Sequence, residues 1–260
     1  MASKIFNGEK RIIKVRDLEF GANRKILISG PCSVESYDQI MEIAKELKSV
    51  GIDVLRGGAF KPRTSPYSFQ GLGEEGLKFL REAADSIDVP VVTEVMDEGS
   101  LEVVCKYADI IQVGSRNMHN YSLLKTLGSV KKPILLKRGM SSTIHEWIMA
   151  AEYLAHYGND QIILCERGIR TFDNYTRNTL DIAAIPIMKA ETGLPVIVDP
   201  SHGTGIRKLI EPMSMAGLIA GADGVMVEVH TDPDNALSDA DQTIDINQYR
   251  ALVSRIKNMY

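Results

Sequence analysis

Eight short apolar runs alternate with stretches of helical periodicity after residue 25, and each run ends at a residue suited to catalysis or binding. The runs are Ile26–Ser29, Asp53–Arg56, Pro90–Glu94, Ile110–Val113, Pro133–Lys137, Gln161–Cys165, Pro195–Asp199 and Gly224–Glu228. They are rich in Val, Ile and Leu, the composition of parallel strands buried on both faces. The connections are long enough to return each strand parallel to the last. Helical stretches are expected at Ser36–Val50, Glu74–Ser86, Glu98–Tyr107, Ser142–Tyr157 and Ile206–Ala220. Thr143 and Glu146 are spaced as a capping box for the fourth of these. Eight βα units favour a closed (β/α)₈ barrel over a doubly wound sheet, and 260 residues suit one such domain. The barrel is expected to span residues 26–260. Residues 1–25 form an N-terminal extension in which RIIKV and LEFG pair as a hairpin plugging the barrel floor, or else remain a frayed leader.

In a (β/α)₈ barrel the C-terminal strand ends gather on one rim, where active sites sit. Here they carry Cys32, Arg56 with Lys61, Glu94, Arg116, Lys137, Arg167, His202 and Glu228. Arg63, Arg138 and Arg170 also lie at or just after strand ends. The net charge is −4, so general attraction to nucleic acid is not indicated, and cations concentrated on one rim point to small anionic substrates. Arg offers a bidentate fork to phosphate or carboxylate, and Lys a point charge.

A second pattern is the set Cys32 in SGPCS, His202 in DPSHGTG, Glu228 in MVEVH and Asp239 in LSDADQ. Thiolate, imidazole and two carboxylates suit a divalent transition metal. Strands one, seven and eight are neighbours in a closed barrel, so these groups can converge, although no spacing motif joins them. Cys165 and Cys105 read as packing residues. Trp147 reads as packing its helix on the barrel, and His230, two residues beyond Glu228, reads as a packing residue sooner than as a support of the site. His119, His145 and His156 are assigned no role. An odd count of 3 cysteines and the absence of a signal-like or membrane-spanning N-terminus suit a cytoplasmic protein with no membrane partner.

The segments GPCSVES, LRGGAFKPRTSPYSFQG, TEVMD, QVGSRNM, LLKRGM, CERGIRTF, DPSHGTG and VEVHTDPDNALSDADQTI together resemble one family across residues 25–250. That family is 3-deoxy-D-arabino-heptulosonate 7-phosphate (DAHP) synthase, in its short type without a regulatory domain. The resemblance implies a (β/α)₈ barrel transferase that condenses phosphoenolpyruvate with erythrose 4-phosphate at the entry to the shikimate pathway of aromatic amino acid biosynthesis. It implies that Arg116, Lys137 and Arg167 hold the phosphate of phosphoenolpyruvate, and that Arg56, Lys61 and Lys137 surround its carboxylate and enol oxygen. Arg63, Thr64 and Ser65 would bind erythrose 4-phosphate. Cys32, His202, Glu228 and Asp239 would hold one divalent metal, Mn, Fe, Co or Zn. Glu94 would act on a water near phosphoenolpyruvate, and Lys61 would serve as general acid at the aldehyde oxygen. A homotetramer or homodimer is expected from the family. No feedback inhibition by aromatic amino acids is expected, because the barrel begins near residue 25 and the chain ends at Tyr260.

The nearest rival is 3-deoxy-D-manno-octulosonate 8-phosphate synthase, which uses arabinose 5-phosphate. Its corresponding loop reads more like KANRSS, where this chain has KPRTS at Lys61–Ser65. A non-catalytic sensor of a phosphorylated metabolite would need the cations but neither Glu94 nor the metal set. A metallohydrolase barrel often carries His-x-His after its first strand, where this chain has Pro31-Cys32-Ser33.

Overall fold

The computed structural model describes residues 3–60, 67 and 69–260. Eight parallel strands close into a barrel: β3 (Ile26–Gly30), β4 (Val54–Arg56), β5 (Val91–Val95), β6 (Ile110–Val113), β7 (Ile134–Lys137), β8 (Ile162–Glu166), β9 (Val196–Val198) and β10 (Gly224–Glu228). Each strand pairs with its sequence neighbour, and β10 pairs with β3 to close the ring. Around it run α1 (Tyr37–Val50), α2 (Glu74–Ser86), α3 (Glu98–Tyr107), α4 (Tyr121–Gly128), α5 (Ile144–His156), α6 (Ala184–Thr192), α7 (Pro200–Thr204), α8 (Ile210–Ile219) and α9 (Ile246–Met259). No helix of the described residues is long and apolar enough to cross a membrane.

Local chemistry explains the helix starts. Ser36 caps α1 by accepting from the Gln39 amide, and Asp97 does the same for α3 from Ser100. Thr143 and Glu146 complete the expected capping box of α5, satisfying two otherwise orphaned amides. Trp147, fully buried, packs α5 on the barrel and donates from its indole to the Leu136 carbonyl at 3.4 Å. Four helices were not anticipated from periodicity: α4, α6, α7 and α9. The expected helix over Ile206–Ala220 instead begins with a 3₁₀ turn at Arg207–Leu209 before α8.

Among the described residues ahead of the barrel, RIIKV and LEFG form the hairpin rather than a frayed leader. β1 (Ile13–Val15) and β2 (Leu18–Phe20) pair antiparallel, and their side chains form one buried cluster with barrel-interior residues. The cluster joins Ile13, Val15, Leu18 and Phe20 to Ile26, Val54, Val92, Ile110, Leu135, Ile163, Ile197 and Met226. Most of these interior residues stand near the N-terminal ends of their strands, so the hairpin closes the floor. Arg16 pairs with Asp109, just ahead of β6, at the same end. Phe20 is fully buried at this plug. Phe20→Ala is expected to cost about 3–5 kcal/mol of stability, read as a lower urea midpoint. A midpoint unchanged from the parent would remove the plug's energetic role.

The barrel interior follows the pleat. Side chains alternate inward and outward along a strand, so the residue two positions after each floor residue also faces in. That relation leads from Val54 to Arg56, Val92 to Glu94, Ile110 to Gln112, Leu135 to Lys137, Ile197 to Asp199 and Met226 to Glu228. On β3 and β8 the same step leads to Ile28 and Cys165, which stay in the apolar cluster; on the other six strands the upper layer is polar, and the site stands on an apolar base.

Candidate active site

The polar layer opens into a pocket lined by Arg56, Glu94, Gln112, Gly114, Ser115, Arg116, Lys137, Met140, Arg167, Arg177, His202 and Asp239. Arg56, Lys137 and Arg167 are only 6%, 4% and 4% exposed, which is unusual for cations. Arg56 pairs with Glu228 at 2.8 Å, and Lys137 with Asp199 at 2.6 Å. Arg167 has no ion pair among the described residues, and its guanidinium donates to the Gly168 carbonyl at 3.3 Å. Burial lowers the Arg167 pKa, yet at neutral pH the guanidinium stays charged. A buried cation without a carboxylate partner is costly unless an anion reaches it. Burial opposes the charge on Arg56 as well, but Glu228, Cys32 and Asp199 outweigh it and raise its pKa.

Glu94 stands across the pocket floor, where Gln112 donates to its Oε2 at 3.1 Å. Its carboxylate lies over Gly114, where an added Cβ would fall 2.0 Å from Glu94 Oε1. The glycine is thus what lets the chain leaving β6 pass beside the acid.

The metal-type residues also meet. Cys32 Sγ and carboxylate oxygens of Glu228 and Asp239 lie within 4.8 Å of one another. Cys32 donates to Asp239 Oδ2 at 3.0 Å. His202 adjoins the group through Glu228, its Nε2 lying 3.3 Å from Glu228 Oε1. Its Nδ1 is 2.8 Å from Asp199 Oδ2. Burial lowers the His202 pKa despite the carboxylates of Asp199 and Glu228, which favours the neutral ring. A carboxylate can only accept, so Asp199 places the ring proton on Nδ1 and leaves an Nε2 lone pair facing Glu228. Two acceptors 3.3 Å apart, beside a thiol and a second carboxylate, suit a shared cation. The mixed S, N and O donors fit a divalent transition metal, and the carboxylate behind the imidazole is the usual support for such a ligand.

One sequence expectation needs correction. Arg138 and Arg170 do not line the pocket. Arg138 follows Lys137 and so faces the opposite way, outward, where it pairs with Glu166 at 2.9 Å and Asp181 at 2.8 Å. Arg170 is exposed. His230 has its own surroundings beyond the pocket lining. Its Nδ1 accepts from the Asp232 amide at 2.9 Å, and its Nε2 lies 3.9 Å from Glu35. Cys165 is fully buried and Cys105 packs at the core's edge, as expected. Lys61, Arg63, Thr64 and Ser65 lie outside the described residues.

Three residues of this cluster carried no sequence expectation: Asp199, Arg177 and Gln242. Gln242 is 2% exposed; its amide donates to Glu228 Oε2 at 2.5 Å and accepts from Arg177 at 2.6 Å. Arg177 also pairs with Asp239 at 3.3 Å. A readable signal existed for Asp199, which ends a strand in DPSHGTG. None existed for a buried amide in a loop.

Comparison with known proteins agrees with this geometry. The DAHP synthetase I family matches residues 9–259. A phospho-2-dehydro-3-deoxyheptonate aldolase of Thermotoga maritima is 52% identical over 259 residues, covering 100% of this chain and 77% of that protein. The crystal structure of that organism's aldolase, also called DAHP synthase, superimposes with a TM-score of 0.96 over 100% of this chain and 76% of its own. A truncated form of the same organism's enzyme gives 0.90 at 49% identity, covering 96% of this chain and 92% of its own. A 2-dehydro-3-deoxyphosphooctonate aldolase of Syntrophobacter fumaroxidans is more distant, 31% identical over 258 residues, covering 92% of this chain and 88% of that protein. With barrel, polar layer and near-complete sequence match in agreement, the chain belongs to the DAHP synthetase I family.

Proposed function

We propose that this chain condenses phosphoenolpyruvate with erythrose 4-phosphate and water, giving DAHP and inorganic phosphate. The carrying observation is Arg167, a guanidinium 4% exposed and without an ion pair among the described residues, on a pocket shared with Arg56, Arg116 and Lys137. Phosphoenolpyruvate brings a phosphate and a carboxylate, the two anions such a cluster recognises. Arg116, Lys137 and Arg167 hold the phosphate. Arg56 and Lys61 take the carboxylate side, while Arg63, Thr64 and Ser65 bind the phosphate of the aldehyde substrate.

C3 of phosphoenolpyruvate forms a bond to the aldehyde carbon, and the aldehyde oxygen takes a proton from Lys61. Glu94 holds the water whose oxygen adds to C2 and accepts its proton. Cleavage of the bond from C2 to the phosphate oxygen then releases phosphate, and the C2 hydroxyl gives its proton to the departing phosphate as it becomes the ketone. Binding two anions in register against their mutual repulsion contributes as much as about 7–11 kcal/mol in favourable cases. Cys32, His202, Glu228 and Asp239 would hold a divalent ion on the aldehyde side, where it supplies Lewis-acid polarisation of the carbonyl.

The 52% identity to a heptonate aldolase, against 31% to an octonate aldolase, favours the four-carbon aldehyde. With Mn²⁺ present, phosphate release from phosphoenolpyruvate is expected with erythrose 4-phosphate, at least about tenfold faster in kcat/KM than with arabinose 5-phosphate. That ratio corresponds to about 1.4 kcal/mol of discrimination, within the reach of one added carbon. A preference for arabinose 5-phosphate would overturn the assignment. Release without either aldehyde would overturn the condensation itself.

A further inference from the structure

The side chains of the site fall into two sets, the cations for phosphoenolpyruvate and the donors for a divalent ion. They meet directly where Arg56 pairs with Glu228, and a further carboxylate, belonging to neither set, touches both. Asp199 follows β9 and is fully buried. Its Oδ2 accepts from Lys137 Nζ at 2.6 Å and meets His202 Nδ1 at 2.8 Å. Its Oδ1 accepts from the His202 backbone amide at 3.0 Å, capping α7. β7 and β9 are not neighbours, since β8 lies between them. Lys137 therefore reaches Asp199 across the interior rather than along a shared ladder.

We propose that Asp199 is a positioning residue that couples the two sets: one carboxylate fixes Lys137 toward the phosphate and selects the His202 tautomer that offers Nε2 to the ion. This rests on the function proposed above. A carboxylate accepts only, so Lys137 and His202 Nδ1 must both donate to it. If the imidazole rotated or moved its proton to Nε2, the lone pair facing Glu228 would be lost. Because one anchor serves both groups, occupation of either set orders the other. Binding of the ion and of phosphoenolpyruvate is then linked, and linkage is reciprocal.

Asp199→Asn tests this while keeping shape. The amide oxygen still caps α7, but its NH₂ now faces Lys137 and His202. Two donors oppose each other at Lys137, and His202 Nδ1 becomes an acceptor, so its proton moves to Nε2. Mn²⁺ affinity, measured by equilibrium dialysis without phosphoenolpyruvate, is expected to fall about 10–100-fold. In the parent, Mn²⁺ is expected to tighten phosphoenolpyruvate binding, and in the variant that tightening should vanish. Mn²⁺ binding within about twofold of the parent would overturn the proposal alone. A parent that binds neither Mn²⁺ nor phosphoenolpyruvate would overturn the proposed function with it.

A second measurement needs no variant of Asp199. Nitrogen-15 NMR of histidine-labelled protein, with His202 assigned by its loss in His202→Gln, should show the neutral ring protonated on Nδ1. Protonation on Nε2 would overturn the proposal however Asp199→Asn folds.

Discussion

Cys32→Ala is expected to leave a folded barrel that no longer retains a divalent ion or turns over. The thiol is 3% exposed and hydrogen-bonds to Asp239 at 3.0 Å. Loss of that bond costs stability on the order of 1 kcal/mol, so the thermal midpoint should shift little. Loss of a proposed direct donor should weaken Mn²⁺ binding by more than about 100-fold, since supporting residues alone are worth 10–100-fold. A bound ion contributes several kcal/mol to polarising a carbonyl, so turnover should fall on the order of 10³-fold. Metal content by atomic absorption and phosphate release decide it together. A variant that kept full activity after chelation would show that Cys32 serves packing only.

Lys137→Met carries the second large effect, and it differs in kind. The ammonium is 5% exposed at its side chain and is 2.6 Å from a fully buried carboxylate. Removing it leaves Asp199 with His202 but without its cation. Breaking a buried pair from one side typically costs about 3–5 kcal/mol of stability. The proposed contact to the substrate phosphate would be lost as well, which should lower kcat/KM for phosphoenolpyruvate about 10²–10⁴-fold. Arg138→Met is the informative partner. Arg138 adjoins Lys137 in sequence and is equally buried against Glu166, so its loss should cost similar stability. It faces away from the pocket, and kcat/KM of the remaining folded protein should stay within about threefold of the parent. If both variants lost activity equally, the inward and outward assignment of β7 would be wrong. Urea titration and initial rates separate the two effects.

That pair also shows where sequence reading reached its limit. Lys137 and Arg138 look alike in LLKRGM, two cations after an apolar run. The pleat sends adjacent side chains to opposite faces, so one enters the pocket and the other pairs beneath α5. Choosing between them requires the register of β7 against its neighbours, which four apolar residues do not specify. Arg170 was misplaced for a related reason, since a loop residue four positions beyond the end of β8 can turn in any direction. The helices α4 and α6 were missed because an 8- or 9-residue segment holds too few turns to show a clear stripe.

Much was nonetheless legible. Eight strands appear at the expected runs to within a residue or two, because buried parallel strands write uninterrupted β-branched and aliphatic segments. The N-terminal hairpin was foreseen as one of two outcomes, from RIIKV and LEFG. The rim logic placed Arg56, Glu94, Arg116, Lys137, Arg167 and His202 around one pocket, as the lining residues are found. It also brought Cys32, Glu228 and Asp239 together across 207 residues of chain.

The sequence by itself therefore determined the barrel, its polar end and the types of group gathered there. Those properties depend on periodicity and on the fixed topology of βα units, which are local or follow from local rules. Only the tertiary structure decided how the groups pair. That Asp199 serves Lys137 and His202 at once, that Gln242 ties Arg177 to Glu228, and that Gly114 clears space for Glu94 are facts of distance between segments remote in sequence. A buried carboxylate or amide takes its role from the two or three groups that surround it. Those surroundings exist only once the barrel has closed.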